Sequence, residues 1–308
     1  MRAETLILSS AVASMAAIAA AGANITIQTV TVGDIGNVAD TTGYGAVNYQ
    51  YSIGRYEVTN AQYAAFLNAK AATDAYGLYS MGMAGDFGGI TRSGSSGSYT
   101  YSTVGGRENW AVSWVSFWDA ARFSNWLQNG QGNGDTETGT YTLGGVANPT
   151  NASVTRNPGS TWAIASEDEW YKAAYYKGGG LAAGYWLYPT QSNSITTADA
   201  NYGSAVGTIT PVGSYALSSF YGAFDMAGNV WEMNEAIIGG SDRGLRGGSF
   251  YLIGGDDDLR AGYRNGSNPS YEGNYFGFRV SQIPGPSSIA LLAIAGLGAR
   301  GRRRGAGR

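Results

Sequence analysis

Apolar residues recur at helical spacing in three places along the 308-residue chain, and each recurrence begins at a polar cap. Thr59 and Gln62 frame a capping box ahead of Tyr63, Phe66 and Leu67, which fall on one helical face. Ser116 and Asp119 open a second segment, with Phe123, Trp126 and Leu127 turned inward. Ser166 and Glu169 open a third, with Trp170, Ala173 and Ala174 together. Elsewhere short apolar runs alternate with Gly-, Ser-, Asn- and Thr-rich stretches, and those at 81–106 and 130–159 exceed ordinary loop lengths. The pattern predicts few helices, short strands and much irregular chain. One continuous domain is expected over 51–282, with no linker or fixed-period repeat, after an extended lead-in at 24–50.

Both ends carry a different pattern. Arg2, then Leu6–Leu8 and an Ala-rich run to Ala21-Gly22-Ala23, read as a signal peptide over 1–23, cut by signal peptidase after Ala23. Residues 283–308 hold Pro284-Gly285-Pro286, the eleven-residue apolar stretch 289–299 and an Arg-rich tail. That stretch is short of the ~20 residues that span a bilayer, so membrane contact is expected only transiently, through the terminal signals. The tail would stay cytoplasmic by the positive-inside rule. The arrangement resembles the PEP-CTERM sorting signal, with Gly285 where that signal carries Glu. The resemblance implies an exosortase-type processing partner and export to the cell surface or matrix of a bacterium with an outer membrane.

Composition limits the chemistry. Hydrophobic residues at 44% suffice for a core, while 48 Gly and 22 Tyr suit a fold rich in tight turns and aromatic contact surface. A net charge of −3 leaves no basic footprint for nucleic acid. The chain has neither Cys nor His. Thiolates are the usual soft ligands for Cu(I), imidazole the usual ligand for iron, copper or zinc, and His the usual base of a serine triad. Copper is therefore not expected, since the loop pair Met81 and Met83 reads as packing.

Seven motifs then fall in one order: Tyr56–Asn60, Val112–Ser116, Ser166–Trp170, Pro211–Ser214, Gly228-Asn229-Val230-Trp231-Glu232, Leu245–Phe250 and Phe276–Val280. Together they resemble the formylglycine-generating (sulfatase-modifying-factor) family. The resemblance implies an α+β, C-type-lectin-like fold. Family enzymes that oxidise a sulfatase cysteine place two cysteines after the Gly-Gly-Ser turn, near Leu252 and Asp257 here. Ser249 is retained at the family's serine position, and Met233 replaces the Trp expected after Glu232.

The resemblance also implies a calcium site at Gly228, Asn229, Val230 and Glu232, where the alternative is a tight turn whose polar groups satisfy buried backbone. A weaker second site would start at Asn201 and Tyr202, with no carboxylate before Pro211 to complete it. A ligand groove is expected from Arg246, Ser249, Tyr251, Asp256, Asp257, Arg260 and Arg264, with Arg279 nearby. Buried arginines of such a fold could instead brace loops through carboxylates and carbonyls. These readings favour an exported, non-catalytic binding module taking an exopolysaccharide, a peptide or another envelope protein. The alternative is a family enzyme with cysteine-independent chemistry, for which Ser249 has no His, leaving only Lys70, Lys172 and Lys177 as lysine bases.

Overall fold

The computed structural model describes residues 24–251 and 255–283. The expected signal peptide (1–23), all but Ile283 of the expected sorting signal (283–308), and Leu252 lie outside the described residues. Three α-helices form where the caps place them: α1 (Asn60–Lys70), α2 (Phe117–Gln128) and α3 (Glu167–Tyr175). In each, the Ser or Thr oxygen accepts from the backbone N–H three residues on, and the Gln, Asp or Glu there accepts from the cap's own N–H. Two donors without helical partners are thereby satisfied at every start.

Ten short strands follow in chain order: β1 (Thr29–Val32), β2 (Tyr51–Gly54), β3 (Ile90–Ser93), β4 (Thr100–Thr103), β5 (Trp162–Ile164), β6 (Trp231–Ile238), β7 (Asp242–Arg246), β8 (Asn265–Ser267), β9 (Phe276–Gly277) and β10 (Val280–Gln282). One antiparallel sheet has the order β1-β2-β10-β5, and a second has the order β8-β7-β6-β9 with β9 parallel to β6. The lead-in is more than a connector. Its strand β1 pairs with β2, Lys172 donates to the carbonyls of Gly33 (2.6 Å) and Asp34 (3.0 Å), and Gly45 N donates to Asp168.

The two long loops differ from one another. Residues 81–106 contain the β3–β4 hairpin. Only Ile90 and Tyr101 point inward from it, too few to produce a readable alternation. Residues 130–159 stay irregular and are fixed by polar side chains of α2. Asn125 donates to the carbonyls of Thr136 and Tyr141 and accepts from Tyr141 N, while buried Arg122 holds Glu137 at 2.7 Å. Those bonds satisfy the backbone that strands would otherwise satisfy.

The main core is aromatic and lies between α1, α2 and the first sheet. Rings of Tyr63, Phe66, Phe123, Trp126 and Phe278 sit 5.3–6.1 Å apart, all essentially without solvent contact. Phe123 touches the other four. Its truncation in Phe123→Ala should lower unfolding free energy by about 3–5 kcal/mol. Urea unfolding checks this, and a loss near zero would mean that the ring is not the centre of the core.

Candidate functional site

Gly228–Val230 form a turn that ties three chain segments together and leads into β6 at Trp231 and Glu232. Gly228 and Asn229 both have positive φ (76° and 60°), and a Cβ at Gly228 would lie 2.2 Å from the Asn201 carbonyl, so only glycine fits. Gly228 N donates to Gly247 O, Asn229 N to Asn201 O and Phe250 N to Asn229 O, each at 2.8 Å. The Asn229 amide accepts from Thr210 N (3.0 Å) and donates to Glu57 Oε1 (3.0 Å). Val230 is fully buried beside Phe250.

Glu232 does not fit the role of calcium ligand. Its Oε2 accepts from Arg279 Nε (2.5 Å) and Trp170 Nε1 (2.8 Å), and its Oε1 accepts from Arg279 Nη2 (2.6 Å). Both partners are inaccessible to solvent. A fixed guanidinium already supplies the positive charge there, and a divalent cation beside it would be repelled. At the weaker second site, Asn201 Oδ1 has no partner, while Tyr202 is buried with its hydroxyl on Ile195 O. Among the described residues no three Asp or Glu side chains converge on one point. The tight-turn reading accounts for the segment.

Two carboxyls share that interior. Burial and the facing charge of Asp225 push Glu57 well above the carboxylate range, against the pull of Arg279. Burial likewise raises Asp225 from 3.8 to about 6, although it accepts from Gly213 N at 2.6 Å.

The expected groove residues separate into two groups. Arg246 is buried, not groove-lining. It donates to Glu167 (2.7 Å) and to the carbonyls of Ala261 and Tyr263. Arg264 grips the same carboxylate at 2.7 Å. Ser249 is also wholly buried, its hydroxyl donating to Tyr251 O at 3.3 Å. No lysine serves it as a base. Lys172 is held by the Gly33 and Asp34 carbonyls, Lys70 by Asn133 O, and Lys177 lies over Trp186. Met81 is 72% exposed and Met83 is in the core, so they offer no shared thioether pair.

Tyr251, Asp256, Asp257 and Arg260 are at the surface. Arg260 bridges Asp256 (3.5 Å) and Asp257 (3.1 Å), and the Tyr188 hydroxyl donates to Asp256, which relieves the repulsion of adjacent carboxylates. Tyr251 stands beside a cleft of about 610 Å³ with Trp231, Tyr271, Tyr275, Asp258 and Asn265. Tyr263, its ring 6.0 Å from Trp231, borders a second cleft of about 370 Å³ with Leu187, Asp257 and Arg260. The sequence reading missed Tyr271, Tyr275 and Asn265. Their only signal is the density of Tyr and Asn in the 265–275 loop.

The position of this cleft, after the Gly-Gly-Ser turn, acquires meaning from comparison with known proteins. A family profile described as "Sulfatase-modifying factor enzyme 1-like domain" matches residues 17–282. The crystal structure of CarF superposes with a TM-score of 0.57 at 23% identity, covering 84% of this chain and 99% of that one. Treponema denticola variable protein 1 superposes with a TM-score of 0.56 at 19% identity, covering 85% and 97%. The fold is the expected α+β, C-type-lectin-like one, with few helices and short strands. A curated relative, the serine/threonine-protein kinase Pkn1 of Chlamydia trachomatis serovar L2, is 36% identical over 138 residues. That match takes in 39% of this chain, which spans about a fifth (21%) of the relative's length.

Removing Glu232 by Glu232→Ala leaves a buried, unpaired guanidinium and should cost about 3–5 kcal/mol, read by denaturant unfolding. Calcium and chelator should leave the melting temperature of the unmutated chain alike; a calcium-dependent rise would overturn the tight-turn assignment. Asp225 generates a pH prediction. Its folded-state pKa is raised, so its contribution to stability is complete below about 4 and is lost as pH climbs through about 6. Asp225→Asn keeps an acceptor for Gly213 and tolerates positive φ, so it should flatten the decline of stability between pH 4 and 6. An unchanged pH profile would rule Asp225 out as its source.

Proposed function

The chain belongs to the sulfatase-modifying factor enzyme 1-like family, and from that premise we propose that it is an exported, non-catalytic binding module. It acts at the cell surface or in an extracellular matrix and takes a glycan or peptide ligand. The observation that carries this reading is a cleft of about 610 Å³, lined by exposed Tyr251 and Tyr271 and by Asp258, the neighbour of one position where the resembled enzymes keep a cysteine. The recognition surface remains while the reactive side chains are gone.

Catalytic readings find little support. Without Cys or His the chain offers no thiolate or imidazole for copper or iron. The buried Ser249 hydroxyl is bonded to a carbonyl with no base beside it, so it lacks the activation that a nucleophilic serine needs. Asp256 and Asp257 share Arg260 on one short turn and cannot flank a substrate from opposite sides. Kinase activity belongs to Pkn1 as a whole, and this chain corresponds to about a fifth of that protein.

Two assays test the proposal together. Incubation with a cysteine-containing sulfatase peptide and Cu(I) should yield no formylglycine by mass spectrometry. Saturable binding to a glycan or peptide array should appear with the unmutated chain and fall in Tyr251→Ala at unchanged melting temperature. Formylglycine formation, or silence on both arrays, would sink the proposal.

A further inference from the structure

The cleft beside Tyr251 carries more detail than a generic binding surface. Its aromatic side is graded from buried to open. Trp231 and Phe276 are buried at the base, Tyr275 stands edge-on to Phe276 at 4.9 Å between centroids, and Tyr251 lies nearly parallel to Tyr275, 18° apart at 6.4 Å. Tyr271 packs edge-on to Phe276 from the other side at 5.4 Å. Tyr251 and Tyr271 remain about half exposed (52% and 48%). Rings braced by other rings lose little side-chain entropy when a ligand stacks on them.

The polar lining is of one kind. Among the described residues, Asn265, Ser267 and Asn268 offer amide and hydroxyl groups to the cleft, Asp258 is its one carboxylate, and no Lys or Arg lines it. A site for a sulfated or carboxylated ligand would need a cation.

The edge strand β8 forms one wall, which would ordinarily suit an extended peptide adding a strand. Here that route is closed by side chains. Gly266 N already donates to Asn265 Oδ1 (2.8 Å), Ser270 N donates to Asn268 Oδ1 (2.9 Å), and the strand is only three residues long. The central backbone donor of the strand, Gly266 N, is thereby taken from any added peptide. Exposed ring faces with neutral hydrogen-bonding groups at their rim suit a ligand that has flat C–H faces and equatorial hydroxyls.

We infer that this cleft binds a neutral oligosaccharide, stacked on Tyr251 and Tyr271 and hydrogen-bonded by Asp258, Asn265 and Asn268. The inference rests on the binding-module reading and narrows its ligand to one class. Uncharged ligands make the interaction insensitive to salt, unlike one steered by charge.

The full chain would be titrated calorimetrically with cellohexaose, laminarihexaose, xylohexaose and chitohexaose, at low and high salt, beside polygalacturonate and a library of unstructured peptides. The expected result is saturable binding of at least one neutral hexasaccharide with a Kd unchanged by salt. Tyr251→Ala and Tyr271→Ala should each weaken it about tenfold or more at unchanged melting temperature, the loss of one stacking platform. Saccharide binding indifferent to both substitutions would overturn the assignment to this cleft. Binding of peptides alone, lost in Tyr251→Ala, would overturn the saccharide inference and leave the binding-module reading standing, as would salt-sensitive binding of polygalacturonate alone. Binding of none of these would overturn both.

Discussion

Everything in this fold hangs on the buried pair of Glu232 and Arg279. The carboxylate belongs to the second sheet and also receives the indole N–H of Trp170 from α3. The guanidinium, just before β10 of the first sheet, donates onward to the carbonyls of Gly54 and Phe224. One ion pair therefore satisfies a carbonyl at the end of β2 and another in the loop before β6, and it ties both sheets to a helix. Two similar braces surround it. Glu167 holds Arg246 and Arg264, and Arg156 joins Glu169 to Glu235. A chain without a disulfide, and with much of its length outside helices and strands, needs such cross-links, because irregular backbone must find partners beyond its own segment. Taking these charges out of water is expensive, and the buried Arg246 and Arg279 offset it with carboxylate and carbonyl acceptors on all three guanidinium nitrogens.

This division of labour explains how the scaffold survives without the family's reactive residues. Most of the braces enter from α3, β6, β7 and the turn before β10, and only Arg264 comes from the stretch after Ser249, where the reactive positions of the resembled enzymes lie. Nothing in the brace set depends on a thiol. Arg246 meanwhile keeps the carbonyls of Ala261 and Tyr263 in place. The open tyrosines are braced by other rings, Tyr271 by Phe276 and Tyr251 by Phe250 and Tyr275.

The sequence disclosed what is local. All three capping boxes could be read because the cap and its partner lie three residues apart, and the inward faces of α1, α2 and α3 follow from helical periodicity. Arg246 and Arg264 could be placed only by their shared partner Glu167, which is 79 and 97 positions away. Sequence alone leaves open whether an arginine lines a groove or braces a loop, and Arg246 turns out to brace. Glu232 was open in the same way, as its motif is the same whether a cation or a guanidinium meets it. Tyr271 and Tyr275 lie in a loop with no period, and only the fold brings them to Tyr251. The β3–β4 hairpin escaped notice because only Ile90 and Tyr101 of its eight strand residues are buried.

The first sheet sets the order of events in forming the molecule. Strand β2 lies between β1, its near neighbour, and β10, which is almost the last described segment. The Arg279 bond to Gly54 spans 225 positions. Loop closure over such a distance must precede any reward from the contacts it makes, so folding should be slow for a protein of this size. While the chain emerges from a ribosome or a translocation pore, β1 and β2 have no finished sheet to join, and Arg279 is not yet there to fill the space beside Glu232. Completion of the first sheet is therefore a late step, after β10 has appeared. Until then the chain remains open and threadable, and its half-made sheet edge is what a holding chaperone would have to cover.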